Sequence, residues 1–225
     1  MLLLALVVLV FSYLIGAVPV GALVARANNI DISRHGSGKT GTTNVLRTVG
    51  RRAAALVLVG DFAKGSLAVV LARLLAGWLM PSVQHVDILG WPVSVSLLVS
   101  LLATAAVVTG HVWSIYLRLI LGRWHGGRGV ATALGAVLVV NPWILLAGIA
   151  IGVPTILISR YVSLGSILGA TAAGVAVIVL VLIGQLDPTG LLFTLISVFI
   201  IAAHRDNIQR LLSGTERKLG ERVKL

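Results

Sequence analysis

The feature that most restricts the fold is a series of long apolar runs, several of them close to the length that crosses a bilayer. An α-helix rises about 1.5 Å per residue, so about 20 apolar residues span the hydrocarbon core. Only 11% of the residues are charged and 58% are hydrophobic, whereas soluble domains have about 25% and 45–50%. The sequence therefore predicts an all-α integral membrane protein.

Seven apolar segments follow one another along the chain, joined by polar connectors. The first, Met1–Ala25, lacks a basic start and is too long for a secretion signal, so we expect a spanning helix, kinked by Pro19 near its end. The fourth, Gly129–Val140, is about half the usual span and stops at Asn141-Pro142. About seven transmembrane helices in a single domain over residues 1–225 are therefore predicted. The other segments are Ala53–Leu79, Val93–Leu117, Trp143–Ser159, Ser166–Ile183 and the start of the last, Leu191–Ala203.

The positive charges are distributed unevenly between the connectors. Sixteen of the eighteen lysines and arginines lie in alternate connectors and in the tail, and the connectors between them contain none. The other two, Lys64 and Arg73, lie within the second apolar segment. Cytoplasmic loops carry the excess of basic residues, so we expect the C-terminus in the cytoplasm and the N-terminus outside. An outside start and an inside end require an odd number of spans, which agrees with seven.

Charge and composition also exclude several kinds of site. The net charge of +11 is explained by membrane topology, so it does not indicate binding to nucleic acid. The chain has no cysteine, which excludes disulfides, thiolate metal sites and a cysteine nucleophile. Its five histidines lack the spacing of metal ligands. We therefore expect no cofactor, no metal and no nucleic-acid partner, with membrane lipids surrounding the helices.

A glycine-rich loop between the third and fourth apolar segments places three glycines around Arg128. Glycines let a backbone approach a ligand closely, and N–H groups ahead of a helix favour an anion. Arg128 adds a fork-shaped donor suited to a phosphate or a carboxylate. The alternative is a turn whose glycines only permit close packing of helices. The candidate phosphate-binding loop comprises Gly126, Gly127, Arg128, Gly129 and Thr132.

A second polar cluster, Gly36–Arg47, contains small residues, hydroxyls and two cations. Its Gly38-Lys39-Thr40 resembles the end of a Walker A loop. That motif needs a glycine where Ser33 stands, and it needs a strand–loop–helix setting that a membrane loop lacks. We therefore reject ATP hydrolysis. Two interpretations remain, an anion-binding loop and a flexible basic loop on anionic lipid.

Three further polar clusters lie on the same side of the apolar runs. Asp61 and Lys64 are one helical turn apart, and we expect a structural ion pair that orients a neighbouring loop. The hydroxyls of Arg160–Ser166 either bind a substrate or bond to their own helix. His204 and Asn207 share a helix face beside the basic loops, which favours a binding or catalytic site over a simple headgroup contact.

Together these clusters resemble the bacterial PlsY-type membrane glycerol-3-phosphate acyltransferases, which use acyl phosphate as the acyl donor. The matching stretches cover nearly the whole chain in the family's order. The resemblance implies a seven-helix protein of the bacterial inner or plasma membrane with a site that faces the cytoplasm. The stretches are Ser37-Gly38 through Asn44–Arg47, Asp61–Gly65, Gly110-His111, Gly126–Thr132, Arg160–Ser163, and His204–Ile208 through Gly214–Glu216.

The resemblance also implies a role for each matching residue. The Gly126–Thr132 loop would hold a phosphate, and Ser163 would lie close to it. His204 and Asn207 are the catalytic candidates. The residues that would line the glycerol-3-phosphate pocket are Ser37, Arg47, Arg128, His204 and Asn207.

This chain departs from the family's usual pattern at three positions and in one length. The family has lysine at both loop positions where this chain has His125 and Arg128, and asparagine where Lys39 stands. The segment between His111 and the loop is also a few residues longer. Arg128 keeps the charge of lysine but not its shape, which bears on affinity and substrate choice. His125 lacks a permanent charge, which puts a binding role at that position in doubt.

The chemistry implied by the resemblance is transfer of the acyl group from acyl phosphate to glycerol 3-phosphate, giving lysophosphatidic acid and phosphate in the first step of phospholipid synthesis. We expect direct transfer, with either a substrate phosphate or His204 as the base, and an acyl chain lying between helices. An enzyme that produces acyl phosphate is a candidate partner. The alternatives are a transporter of a phosphorylated metabolite or anion, and a protein that only binds anionic lipid.

Overall fold

The computed structural model describes residues 1–88 and 90–221, and most of this part is helical. Two short 3-10 helices, Ile32–Arg34 and Pro188–Phe193, join longer elements. The α-helices are α1 (Leu2–Ala17), α2 (Val20–Ala27), α3 (Thr42–Thr48), α4 (Arg51–Leu79), α5 (Val95–Val112), α6 (Ile115–Leu121), α7 (Val130–Val140), α8 (Pro142–Ser159), α9 (Val162–Leu182), α10 (Thr194–Ala203) and α11 (Arg205–Leu212), and the strands are β1 (His85–Ile88) and β2 (Trp91–Ser94).

Each predicted apolar segment corresponds to a helix. By length and composition five of the segments can cross a membrane, the first being Leu2–Ala27, which contains α1 and α2. A sixth consists of Pro188–Ala203 and α11, which meet at a bend of 55°. The fourth segment forms α7, whose 11 residues extend only about 16 Å. The all-helical membrane fold is thus established, while the count of seven spans and the orientation of the termini stay predictions.

The first segment breaks at the expected proline. Pro19 separates α1 from α2, because a proline ring cannot continue the helix past the preceding residue. The break exposes the carbonyl of Val18, which accepts a hydrogen bond from the Lys64 ammonium at 2.9 Å. A lysine inside an apolar helix is thereby used to compensate a polar backbone group that lipid could not satisfy.

The short helix α7 packs closely against α4. A Cβ at Gly65 would clash with the carbonyl of Thr132, and a Cβ at Gly135 would clash with that of Phe62, so the two backbones approach as only glycines allow. Arg73, the second cation within the apolar part of α4, donates to the carbonyl of Val139 at 2.7 Å. This carbonyl lies in the last turn of α7, where it has no partner within the helix, so Arg73 caps an end that would otherwise be unsatisfied in the bilayer.

The structure departs from the sequence prediction in the connector before α5 and at the end of the third apolar segment. Strands β1 and β2 pair as an antiparallel hairpin where only a connector was expected. The third apolar segment was predicted to run to Leu117, but α5 ends at Val112 and a separate helix, α6, follows. Ser114 causes this break, because its hydroxyl donates to the Ala17 carbonyl and accepts from the N–H of Leu117 as an N-cap.

The basic connectors meet at one face of the helix bundle. Arg123 donates to the carbonyl of Ser33 at 3.1 Å, which joins the second basic connector to the first. The tail is joined to the first connector in the same way, because Arg47 donates to the carbonyl of Arg217 at 2.8 Å. Arg160 and Leu219 exchange two further bonds between the third connector and the tail. The candidate site is built where these four segments converge.

Candidate active site

The glycine loop turns sharply before it enters α7. Gly129, the residue before the helix, has φ +83°, in the left-handed region that favours glycine. A Cβ at this position would also lie 2.8 Å from Val108 and 3.1 Å from Ile200. Conformation and packing therefore both require glycine at 129.

The other two loop glycines have a different role from the expected one. The N–H of Gly126 donates to the carbonyl of Val112 at 2.9 Å, and that of Gly127 to the carbonyl of His111 at 3.3 Å. A Cβ at Gly127 would clash with the imidazole of His111. The fold therefore uses both N–H groups, contrary to the expectation that they cradle a phosphate. These two glycines serve close packing, which was the alternative interpretation.

Arg128 is the loop residue best placed to bind an anion. Its Nε is buried and has no hydrogen-bond partner among residues 1–88 and 90–221. Burial and the neighbouring charge of Arg210 lower the pKa of Arg128 to about 10, so the guanidinium stays positive at neutral pH. A buried cation with an unused donor is costly unless a ligand satisfies it.

The first basic loop is shaped by Asn44 on α3. The side chain of Asn44 accepts from the N–H of Ser37 at 3.1 Å and donates to the carbonyls of His35 and Lys39. These bonds hold the loop in a compact turn that exposes Ser37. Asn44 was noted only within a matching stretch, and its buried amide turns out to organise the whole loop.

Arg47 and Lys39 extend from this loop toward the C-terminal segment. Arg47 has a buried Nε with no partner in the described part of the chain, like that of Arg128. Lys39 forms an ion pair with Asp206 at 3.3 Å. Burial and the nearby Arg128 together lower the pKa of Lys39, although Asp206 opposes them. The site thus gathers cations from three connectors.

Glu216 links α9 and α11 close to these cations. Its carboxylate accepts from Ser163 at 2.9 Å, from Asn207 at 2.8 Å and from Arg210 at 2.7 Å. Burial alone would raise the pKa of Glu216, but the three bonds outweigh it and lower that pKa. Ser163 was expected to lie beside the substrate, but its hydroxyl donates to the carboxylate of Glu216 instead. Glu216 itself was not among the predicted site residues, and only its place in the Gly214–Glu216 stretch pointed to it.

His204 and Asn207 lie together at the bend between α10 and α11. The Nδ1–H of His204 donates to the carbonyl of Ile200 at 2.7 Å, so Nε2 carries the lone pair of the neutral ring. Burial lowers the pKa of His204 to about 4, and the charge of Arg128 contributes to this shift. The Oδ1 of Asn207 is buried and has no partner within the described residues. A neutral base and an unused acceptor thus lie beside the cations.

Thr132 belongs to a separate polar cluster inside the bundle. It is fully buried, and its hydroxyl lies 3.2 Å from Nδ1 of His111. His111 lies 3.4 Å from the carboxylate of Asp61, which in turn lies 2.8 Å from the Lys64 ammonium. The prediction of an ion pair that orients a neighbouring loop matches this geometry, since His111 supports Gly127. Thr132 faces this cluster and not the loop surface, contrary to the expected phosphate contact.

An apolar groove opens beside the polar site, between α7, α8, α9 and α10. Val130 and Ile200 line the end next to Gly129. Apart from Ser166 and Ser197, the lining side chains are apolar. The groove therefore suits a hydrocarbon chain attached to a polar group held by the cations.

A polar cavity of about 640 Å³ lies on the other side of the first basic loop. Ser37 and Lys39 line it from this loop, and Arg123, Trp124 and His125 line it from the glycine-loop side. Two of the positions that depart from the family's pattern, Lys39 and His125, thus face one cavity. Arg128, the third, is not among its lining residues.

Comparison with known proteins identifies the family. Residues 6–214 match the sequence model of the family described as glycerol-3-phosphate acyltransferase. A glycerol-3-phosphate acyltransferase of Synechocystis is 40% identical, with 99% of this chain and 94% of the relative covered. Another from Thermus thermophilus is 39% identical, with 96% and 95% covered. This chain belongs to the glycerol-3-phosphate acyltransferase family.

Solved structures agree with this assignment. The glycerol 3-phosphate form of PlsY, an integral membrane glycerol 3-phosphate acyltransferase, is similar over 96% of both chains, with a TM-score of 0.76 and 32% identity. The lysophosphatidic acid form of the same enzyme has a TM-score of 0.74. The predicted resemblance to this family is confirmed, and a multi-pass membrane acyltransferase is favoured over the transporter alternative.

Proposed function

We propose that the enzyme transfers an acyl group from acyl phosphate to glycerol 3-phosphate, releasing lysophosphatidic acid and inorganic phosphate. One observation carries the proposal. Arg47 and Arg128 each have a buried Nε without a partner among the described residues, and Arg128 lies close to the neutral His204 and, through Gly129, to the apolar groove. Cations suit the phosphates of both substrates, and the groove suits the acyl chain. The relatives named as glycerol-3-phosphate acyltransferases support the same acceptor.

The reaction needs positioning more than activation. A hydroxyl oxygen of glycerol 3-phosphate attacks the acyl carbonyl carbon, and the bond from that carbon to the phosphate oxygen breaks. Phosphate is already a good leaving group, so the protein's task is to align the hydroxyl with the carbonyl and to balance the charge of two phosphates. The hydroxyl proton passes to a substrate phosphate or to Nε2 of His204.

The residues divide between binding and alignment. Arg47 and Arg128 hold phosphate, and the exposed hydroxyl of Ser37 adds a donor from the first loop. The unused Oδ1 of Asn207 accepts a hydrogen bond from a glycerol hydroxyl, because an amide oxygen can only accept. Glu216 fixes the orientation of Asn207 through the opposite end of the same amide.

The donor is tested with purified protein, palmitoyl phosphate and labelled glycerol 3-phosphate in the absence of CoA. Labelled lysophosphatidic acid should form, and palmitoyl-CoA should not replace palmitoyl phosphate. The residues the structure describes gather no three His, Asp or Glu side chains as metal ligands, so EDTA should not abolish activity. Activity with acyl-CoA alone, or loss in EDTA restored by one divalent ion, would overturn the proposal.

The site is proposed to face the cytoplasm of a bacterial cell, where an enzyme producing acyl phosphate is a candidate partner. The support is the convergence of the basic connectors at one membrane face. Accessibility tags in the hairpin turn at Gly90 and after Leu225 should report opposite sides of the membrane. Labelling of both tags from the same side would remove the seven-span arrangement.

A further inference from the structure

The apolar groove has one polar end and one closed end. At the polar end Val130 and Ile200 border Gly129 and the polar site. At the closed end Ile144, Val177 and Phe193 are each at most 2% exposed. These side chains belong to one packed core cluster, so the groove stops against it instead of running through the bundle.

The groove has a definite depth. On α9 its lining extends from Gly165 at the polar end to Val177 at the closed end, a rise of about 18 Å along the helix. On α8 the lining from Ile156 to Ile144 covers the same number of residues in the opposite direction. A chain anchored at the polar site therefore meets the closed end after a fixed distance.

The width of the groove is fixed by backbone contacts. A Cβ at Gly152 would lie 2.9 Å from the carbonyl of Gly165, and a Cβ at Gly169 would lie 2.8 Å from the carbonyl of Gly148. Here α8 and α9 meet backbone to backbone, as small residues allow in membrane helices. The glycines add no side chain to the groove at these contacts, so its depth is set by the side chains at the closed end.

We propose that Phe193 and Ile144 set the longest acyl chain that the enzyme transfers efficiently. The inference rests on the proposed function, which supplies the occupant: the acyl chain of a donor whose phosphate is held beside Arg128. Each methylene buried in the groove raises the apparent affinity about fourfold. A methylene beyond the closed end adds no affinity, because it must displace the packed ring of Phe193 or leave the groove.

The test is a series of acyl phosphates of increasing chain length, with kcat/KM measured for wild type and variants. Phe193→Ala deepens the groove and should raise kcat/KM for chains longer than the wild-type optimum by about fourfold per methylene. Ala173→Leu fills the groove about 12 Å from its polar end and should shift the optimum to shorter chains. The KM for glycerol 3-phosphate should stay unchanged in both variants, which a general loss of structure would not allow.

Val175→Leu is the matched control, because Val175 is two residues from Ala173 on α9 and exposed at the outer surface of the bundle. Its chain-length profile should equal that of wild type. Phe193→Leu serves as a milder variant if the alanine protein does not fold. Unchanged profiles in Phe193→Ala and Ala173→Leu, or an equal shift in Val175→Leu, would overturn the inference.

A second measurement separates this inference from the proposed function. Binding of lysophosphatidic acids of the same chain lengths requires no reaction, and the affinities should follow the same order in each variant. If wild type transfers nothing from acyl phosphate, the proposed donor is wrong, and the binding series still decides the role of the closed end. Equal changes in affinity at every chain length would contradict it.

Discussion

Two polar clusters lie on opposite sides of the glycine loop, and they differ in how their charges are compensated. In the inner cluster Asp61 pairs with Lys64 at 2.8 Å, and His111 contacts both Asp61 and Thr132. In the outer cluster Arg128 has a buried Nε without a partner among residues 1–88 and 90–221. The Oδ1 of Asp61 also lacks a well-aligned hydrogen bond, but the ion pair compensates its charge.

The contrast separates polar groups that hold the fold from those that meet a ligand. A buried polar group without a partner is costly, so a fully paired cluster stabilises the protein and has no capacity left for a substrate. Within the described part of the chain, the outer cluster retains two unused donors, on Arg47 and Arg128, and an unused acceptor on Asn207, which is the state expected of a binding site. The two clusters are joined where Gly127 packs on the ring of His111.

The largest expected effect is on stability, from breaking the inner pair. Lys64→Met leaves the Asp61 carboxylate buried without its partner and should lower the free energy of unfolding by about 3–5 kcal/mol. The double variant Lys64→Met with Asp61→Leu removes both charges and should recover most of this loss. Unfolding in detergent followed by circular dichroism measures both. A double variant as unstable as the single one would show that the pair is not the stabilising unit.

The next effect is on activity, from the outer cluster. Arg128→Ala should remove a charge-assisted contact of about 1.5–3 kcal/mol, lowering kcat/KM about ten- to a hundredfold with little change in stability. Arg128→Lys should recover much of it, because phosphate accepts a point charge. Steady-state kinetics with varied glycerol 3-phosphate measure both.

Arg118 is the matched control for Arg128, because it is exposed and its side chain donates to the nearby carbonyl of Gly122. Arg123, which is also close to the loop in the sequence, is a poorer control because it donates to the carbonyl of Ser33 in the first loop. If Arg128→Ala matches wild type while Arg118→Ala is inactive, the phosphate site lies elsewhere.

A smaller effect tests the link between the clusters. His111→Asn shortens the side chain that supports Gly127 and should raise the KM for glycerol 3-phosphate about fivefold, the equivalent of about 1 kcal/mol, with kcat nearly unchanged. In a double-mutant cycle with Arg128→Ala the two effects should be less than additive, because both act on one loop. Full additivity would mean that the inner cluster does not position Arg128.

The last effect is confined to acidic pH. The pKa of His204 is about 4 in the folded protein and about 6.5 for an unfolded histidine, so between these values only the unfolded state binds the proton. Stability should therefore rise with pH across this window through His204, and this part of the rise should be absent in His204→Gln. Thermal unfolding of both proteins from pH 5 to pH 8 measures it, and parallel curves would contradict the burial of a neutral imidazole.

The sequence by itself determined the membrane fold and the membrane face on which the site forms. Apolar length is a local property, so the long apolar helices, the short α7 segment and the break at Pro19 were readable along the chain, while the number of spans stays a prediction. The basic connectors can likewise be located from the sequence alone. They meet in the structure, as expected for segments on the same side of the membrane. The order of the matching stretches identified the family and most residues of the outer cluster.

Only the tertiary structure decided how these residues divide their roles. Whether the N–H groups of Gly126 and Gly127 face a ligand depends on α5, whose carbonyls accept them. Whether Ser163 binds substrate depends on Glu216, which lies 53 residues further along the chain. Thr132 turns toward His111 and not toward the loop. Residue types and spacing indicate what a side chain can bind. Its actual partner is decided by contacts between distant segments, because each donor or acceptor bonds to the group that packing brings nearest.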